Sequence, residues 1–328
     1  MFDKKIKVTL GGVPQLIHIR SLDAKKPILL FLHGGPGVVN RHGIFAQHSD
    51  LLDTFTMVTW DQRGSGGSCW GVKAASLHTR QLTDDAAELV TWLCKKFHKQ
   101  KIFVIGGSWG SELGTWLAYR YPEQIAAYVG FGQVVDGTKN ELLSYEFALD
   151  AAQKAGDARA VRLLRHIDAP EKGLYRYGFA GLYYQRRVMM RYGGYSRDKN
   201  KATFKDAFVK PMLHSGEYTP ADLLGIAVGG LKLLESALYT ECGAVNFPES
   251  CTEFAVPYFI FNGRHDQNTL AALVEDYFDL IRAPRKELVW FEDSGHNPMN
   301  DEPEKFRALL RQRLGEIARE ENGKGVAV

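Results

Sequence analysis

I-G-G-S-W-G-S-E-L-G, residues 105–114, is the stretch of sequence that decides the fold prediction. An apolar run, residues 101–105, leads into it and a helix-favouring segment follows, which predicts a strand, a sharp turn and a helix. Ser108 lies at the apex, with a glycine two positions away on either side. Small residues there let strand and helix approach closely, while the serine Oγ stays exposed above the first helix amides. The pattern indicates either a nucleophilic serine or a glycine-rich turn with an ordinary serine.

Strands and helices alternate on both sides of this turn, which predicts an α/β fold. Apolar or alternating runs predict eight strands, the first two forming a hairpin around Gly11 and Gly12. The helical patterns between them predict a mostly parallel sheet flanked by helices on both faces. The predicted strands are residues 5–20 (the hairpin), 28–32, 55–60, 101–105, 125–130, 257–262 and 287–292, and the predicted helices are residues 79–97, 109–122, 269–281 and 303–317.

Residues 137–250 interrupt this alternation. They are helical in pattern and rich in charged and aromatic side chains, without strand–helix units. We therefore predict a helical cap inserted between two parts of one core domain, residues 1–136 and 251–328. The basic run within residues 185–210 is interpreted as a solvated helix face, and a surface that attracts anionic substrates is the alternative.

Composition excludes several classes of protein. The 328 residues can bury a sizeable core, and 45% hydrophobic residues with a net charge of +3 are ordinary for a globular protein, so no nucleic-acid partner is expected. The start, M-F-D-K-K-I-K-V, lacks the apolar core of a secretory signal, and no run is long enough to span a membrane. We expect a cytoplasmic protein without a membrane partner.

The four cysteines are scattered, without a C-x-x-C pair, so no metal site is expected. Reduced thiols are the simpler interpretation, and a bond between Cys242 and Cys251 is the alternative. The sequence leaves the oligomeric state open.

Ser108, Asp266 and His296 each follow a predicted strand, in the chain order of an α/β-hydrolase triad. Alone, the histidine would be a loop or core residue and the aspartate a turn residue. Together they supply a nucleophile, a neutral imidazole that takes its proton, and a carboxylate that orients the imidazole. Because the carboxyl ends of parallel strands meet at one edge of a sheet, we predict one catalytic site there. Its oxyanion hole is predicted to use the backbone N–H groups of Trp109 and Gly35.

The motifs H-G-G-P-G (33–37), D-Q-R-G-S-G-G-S (61–68), G-G-S-W-G-S (106–111), G-R-H-D (263–266) and G-H (295–296) together resemble the proline iminopeptidase (prolyl aminopeptidase) family of the α/β-hydrolase superfamily. The resemblance covers residues 25–135 and 255–315. It implies an α/β-hydrolase fold with a helical cap, a serine hydrolase that needs no cofactor, and release of N-terminal proline or another residue. It assigns the triad to Ser108, Asp266 and His296 and the oxyanion hole to Gly35 and Trp109.

The cap lacks the W-S-x-W-E segment that binds the substrate's ammonium group in bacterial prolyl aminopeptidases. An exopeptidase must still compensate a desolvated ammonium with carboxylates. The candidate substrate-binding residues are Gly34, Glu112, Glu141, Glu146, Glu217, Glu235 and Glu241.

The leading prediction is an aminopeptidase that acts on small peptides through an acyl-enzyme. An esterase, lactonase or amidase acting on a small non-peptide substrate is the alternative. A non-catalytic ligand-binding protein on the same fold is the remote one.

Overall fold

The computed structural model of the chain describes residues 2–201 and 203–324, so residues 1, 202 and 325–328 of the predicted core and cap lie outside the described residues. The strands are β1 (Phe2–Leu10), β2 (Val13–Ser21), β3 (Ile28–Leu32), β4 (Thr56–Trp60), β5 (Ile102–Gly107), β6 (Ile125–Phe131), β7 (Tyr258–Gly263) and β8 (Lys286–Phe291). They form one sheet in the order β1-β2-β4-β3-β5-β6-β7-β8. The pairs β1–β2 and β2–β4 are antiparallel and all others are parallel. The predicted eight-stranded, mostly parallel sheet is confirmed.

Helices of the described residues cover both faces of this sheet and fill the segment between β6 and β7. They are α1 (Arg41–Gln47), α2 (Thr79–Phe97), α3 (Trp109–Arg120), α4 (Gly137–Lys154), α5 (Ala158–Ile167), α6 (Phe179–Arg191), α7 (Lys210–His214), α8 (Pro220–Leu234), α9 (Leu238–Ala244), α10 (Phe247–Ser250), α11 (Ala271–Leu280), α12 (Pro298–Asp301) and α13 (Pro303–Lys324). We call the segment from α4 to α10 the insertion; it falls within the range 137–250 predicted for the cap. None of the described helices is long and apolar enough to span a membrane.

Successive side chains of β3 show how the sheet is covered. Leu30 belongs to a cluster that includes residues of α2, α3 and α11, whereas Leu29 and Phe31 belong to a second cluster with residues of α1 and α13. All five side chains of β3 are buried, which explains its continuous apolar run. The insertion has an apolar cluster of its own, formed largely by α4, α5 and α6.

The insertion docks on the core through α8. A Cβ atom added at Gly225 would overlap the carbonyl oxygen of Gly66, and one added at Gly229 would overlap that of Gly64. The absence of side chains on this helix face therefore lets α8 lie directly on the loop after β4.

A buried arginine joins the same loop to α8. The guanidinium of Arg41 lies 3.2 Å from the Asp61 carboxylate and 3.0 Å from that of Asp222, which belongs to α8. Burial raises the pKa of Asp61 to about 6, against the opposing effect of Arg41. The backbone N–H of Gly67 also donates to Asp61, at 2.9 Å, so this carboxylate shapes the loop.

Candidate active site

Ser108 lies on the turn between β5 and α3, as predicted. Its backbone has φ 57° and ψ −128°, a conformation that residues with side chains rarely adopt. A Cβ atom at Gly106 would overlap the carbonyl oxygen of Gly110, and one at Gly110 would overlap that of Leu32. The two glycines are therefore required by the close approach of strand and helix, which is the mechanical reason for the G-x-S-x-G spacing.

The structure brings Asp266 and His296 together from the loops that follow β7 and β8. His296 Nδ1 lies 2.9 Å from Asp266 Oδ2. The carboxylate also accepts hydrogen bonds from the backbone N–H groups of Asn268 and Thr269, at 2.8 and 2.9 Å, and from the Thr269 hydroxyl at 2.7 Å. An ionised carboxylate has only acceptor sites, so Nδ1 is the protonated nitrogen of the neutral imidazole and Nε2 carries the lone pair.

The Nε2 atom of His296 faces the Asn268 side chain, whose Nδ2 lies 3.1 Å away. Within the described residues, Ser108 Oγ has no hydrogen bond to His296. Two further residues confine the ring. A Cβ atom at Gly132 would come within 2.9 Å of its Nδ1, and the Tyr195 ring lies with its centroid 5.1 Å from that of the imidazole.

The loop after β3 forms the second wall beside Ser108. A Cβ atom at Gly34 would lie 3.1 Å from Ser108 Cβ. Among the described residues, the backbone N–H groups of Gly34 and Gly35 donate to no protein acceptor. Trp109 is the first residue of α3, and its N–H has no carbonyl one turn earlier in the helix. Free donors are therefore present where the sequence predicts an oxyanion hole at Gly35 and Trp109.

Hydrogen bonds between loops hold this wall in place. The Nε2 atom of His33 accepts from the backbone N–H of Gln62 at 3.2 Å, and its Nδ1 donates to the Gly34 carbonyl at 2.9 Å. Burial lowers the pKa of His33 to about 4, so the ring stays neutral and keeps both roles. The Gln62 amide donates to the His33 carbonyl and accepts from the Trp109 indole N–H. His33 therefore shapes the loop.

Two of the candidate glutamates lie on helices close to the catalytic loops. Glu112, in the first turn of α3, is only 2% exposed, and burial raises its pKa to about 8 beside the Cys242 thiol. Glu141, on α4, is paired through Oε1 with Arg186 of α6. Its second oxygen, Oε2, is buried and has no hydrogen-bond partner among the described residues.

The other candidate glutamates are exposed or already bonded. Glu146 is exposed on α4, and Glu235 is exposed at the end of α8. Glu217 accepts a hydrogen bond from Arg20 of β2 at 2.7 Å, and Glu241 accepts one from the backbone N–H of Thr79 at 2.6 Å. The structure therefore uses Glu217 and Glu241 to tie the insertion to the core. All four cysteines are free thiols, so the alternative bond between Cys242 and Cys251 is absent.

Several residues of the site carry no signal in the sequence. Asn268 and Thr269 follow Asp266 directly, but only the fold shows that they contact the imidazole. Tyr195 belongs to the insertion, and its carbonyl accepts from the His296 backbone N–H at 2.7 Å. Periodicity cannot show these contacts, because they join segments that are far apart in the chain.

Comparisons with known proteins agree with the fold. A family model described as "alpha/beta hydrolase fold" matches residues 27–303. This chain belongs to the α/β hydrolase fold family. A Bacillus subtilis protein named "Probable aminopeptidase YbaC" is 29% identical over 305 residues, which are 93% of this chain and 94% of that protein. A Neosartorya fischeri protein named "Probable acetylxylan esterase A" is 27% identical over 134 residues, 39% of this chain and 36% of that one.

Among solved structures, this α/β hydrolase is similar to a proline iminopeptidase-related protein from Thermus thermophilus. The TM-score is 0.65 at 17% identity, over 97% of this chain and 99% of that one. At that identity the likeness concerns the fold alone. The resemblance to proline iminopeptidases inferred from the motifs thus agrees with the α/β hydrolase family match and with an aminopeptidase-named relative over almost the whole chain.

Proposed function

We propose that this α/β hydrolase is a serine hydrolase that releases the N-terminal residue of small peptides through an acyl-enzyme. The observation that carries the proposal is the Asp266–His296 pair at the same edge of the sheet as a serine held at φ 57°. The relative named as an aminopeptidase, similar over 93% of this chain, supports a peptide substrate.

In this mechanism, Ser108 Oγ attacks the carbonyl carbon of the first residue while His296 Nε2 takes the hydroxyl proton. Asp266 stabilises the imidazolium that forms. The backbone N–H groups of Gly35 and Trp109 donate to the oxyanion. The imidazolium then gives its proton to the leaving amine. Water, deprotonated by His296, hydrolyses the ester and regenerates Ser108.

Specificity for a free N-terminus needs a carboxylate that compensates the ammonium group, and Glu141 is the residue we assign to it. Its Oε2 atom is buried without a hydrogen-bond partner among the described residues, which leaves an acceptor available. The preceding residue, Asn140, donates to the backbone carbonyl of Asn268 at 2.9 Å, so this turn of α4 adjoins the loop that bears Asp266. The hydroxyl of Tyr239 is also buried and lies near the Glu141 carboxylate.

Two measurements test the proposal. A fluorophosphonate should label the protein stoichiometrically, and Ser108→Ala should abolish labelling and lower kcat by at least about 10⁴-fold while the protein stays folded. Aminoacyl β-naphthylamides should be hydrolysed with a free amino group and resist hydrolysis when N-acetylated. Equal turnover of free and acetylated substrates would contradict the aminopeptidase assignment but would still be consistent with a serine hydrolase.

A second candidate function keeps the same triad and gives it an ester, lactone or secondary amide. One observation favours it: Glu141 is already paired with Arg186, so the pair carries no net charge and does not require a cationic substrate. A relative named as an acetylxylan esterase, similar over 39% of this chain, agrees with an ester substrate. Failure on every free-amino peptide, together with efficient hydrolysis of esters or lactones, would decide for this candidate.

A further inference from the structure

The side chain of Asn268 occupies the nitrogen of His296 that general-base catalysis needs. Asn268 Nδ2 lies 3.1 Å from His296 Nε2, while Nδ1 faces Asp266 at 2.9 Å. Because Nδ1 carries the proton, Nε2 is an acceptor, and the Asn268 amide is its donor. A neutral imidazole has one lone pair in the ring plane at this nitrogen. The amide of Asn268 and the hydroxyl of Ser108 therefore compete for the same lone pair.

The backbone of Asn268 is held on both sides. Its N–H donates to Asp266 Oδ1 at 2.8 Å, and its carbonyl accepts from the Asn140 side chain of α4 at 2.9 Å. The Asn140 side-chain oxygen accepts in turn from the N–H of Leu270 at 2.9 Å. The Ser144 hydroxyl, one turn later on α4, donates to the Gln267 carbonyl at 2.7 Å. The insertion thus holds the loop that aims the Asn268 amide at the imidazole.

We propose that Asn268 is a positioning residue that keeps His296 in a resting state. Its amide occupies the lone pair of Nε2, and a substrate that enters the site must displace this amide before the serine hydroxyl can donate to Nε2. The proposal rests on the proposed serine hydrolase function and adds a step that precedes acylation.

Three variants test this step. Asn268→Ala removes the competing donor, Asn268→Asp replaces it with an acceptor that favours the imidazolium, and Gln267→Ala is the matched control. Gln267 adjoins Asn268, but its side chain makes no hydrogen bond within the described residues. The backbone contacts of Gln267 remain in the variant. The measurements are the rate of Ser108 labelling by a fluorophosphonate without substrate at pH 8, the pH profile of kcat/KM, and thermal unfolding.

Asn268→Ala should be labelled about three- to tenfold faster than the wild type, because one hydrogen bond no longer has to be broken. The acidic limb of its kcat/KM profile should move to higher pH by about half a unit to one unit, since a donor that stabilised the neutral ring is gone. Asn268→Asp should be labelled more slowly than the wild type, and its acidic limb should move further in the same direction. Gln267→Ala should match the wild type.

The expected labelling rates of the two Asn268 variants change in opposite directions, which separates a positioning role from a structural one. Two other titratable groups face the imidazole, Asp266 and Tyr195, and the Asp301 carboxylate accepts from the backbone N–H of the neighbouring Gly295. The variants leave all three in place. Slower labelling of both folded variants with an unmoved acidic limb would overturn the proposal. If the wild-type protein resists labelling, the proposed function itself is overturned. If the wild type is labelled and Asn268→Ala is labelled at the same rate, only this inference is overturned.

Discussion

At the scale of single residues, the backbone conformation of Ser108 shows why the serine motif is informative. A residue with φ 57° and ψ −128° is strained, and the surrounding strand and helix must hold it there. Gly106 and Gly110 make this possible because no Cβ atom fits at either position. The geometry of the turn could therefore be predicted from ten residues. The contact between Asn268 and His296 could not, because it depends on how two distant loops meet.

Glu141 provides the test of substrate charge. Glu141→Gln should lower kcat/KM for aminoacyl β-naphthylamides about 10- to 100-fold, because an amide replaces a charged acceptor for the ammonium. Hydrolysis of an activated ester without an amino group should change little. Glu146→Gln is the matched control, since Glu146 is exposed on the same helix. Equal losses on both kinds of substrate would indicate that Glu141 only supports the fold of the insertion through Arg186.

At the scale of elements, local sequence patterns predicted most boundaries well. Strand β3 and helix α2 have the bounds expected from the sequence, because each is a complete apolar or amphipathic pattern with clear ends. Helix α13 runs to Lys324, beyond the predicted end at residue 317. The last buried side chains of this helix are those of Leu310, Leu314 and Ile317, which end at the predicted boundary. The charged helix-forming residues that follow continue the helix beyond it.

Helix α8 yields a prediction with an internal control. Gly229→Ala should lower the free energy of unfolding by about 1–3 kcal/mol, because the new methyl group overlaps the Gly64 carbonyl and forces α8 away from the loop. Gly230→Ala, one residue later, meets no atom within 4 Å and should raise the free energy of unfolding by up to about 1 kcal/mol through helix propensity. Urea denaturation measures both. Equal effects of the two substitutions would contradict the docking of α8 on this loop.

At the scale of the whole molecule, Glu112 couples stability to pH. Burial raises its pKa from 4.5 to about 8, so the folded protein holds this proton more tightly than the unfolded chain does. Its carboxyl group therefore costs no stability below about pH 4.5, and the cost grows as the pH rises towards 8 and is constant above. Glu112→Gln should gain stability relative to the wild type over that interval.

Chemical denaturation at a series of pH values between 5 and 9 measures this difference. The exposed Glu146→Gln variant should run parallel to the wild type, which separates the effect of burial from that of losing a charge. A Glu112→Gln curve that also runs parallel to the wild type would contradict the assignment of an uncharged carboxyl to Glu112.

The sequence by itself determined the sheet, its helices, and the order of Ser108, Asp266 and His296 at the strand ends. Period-2 and period-3.6 patterns and glycine spacing depend only on residues that are close in the chain, so the sequence alone shows them. Only the tertiary structure decided which carboxylates remain available. Glu217 and Glu241 are bonded to the core, Glu112 is buried, and Glu141 keeps one oxygen without a partner among the described residues. Such differences arise from how the insertion docks on the core. Docking brings together residues that are far apart in the chain, and no periodic pattern in the sequence shows which of them will meet.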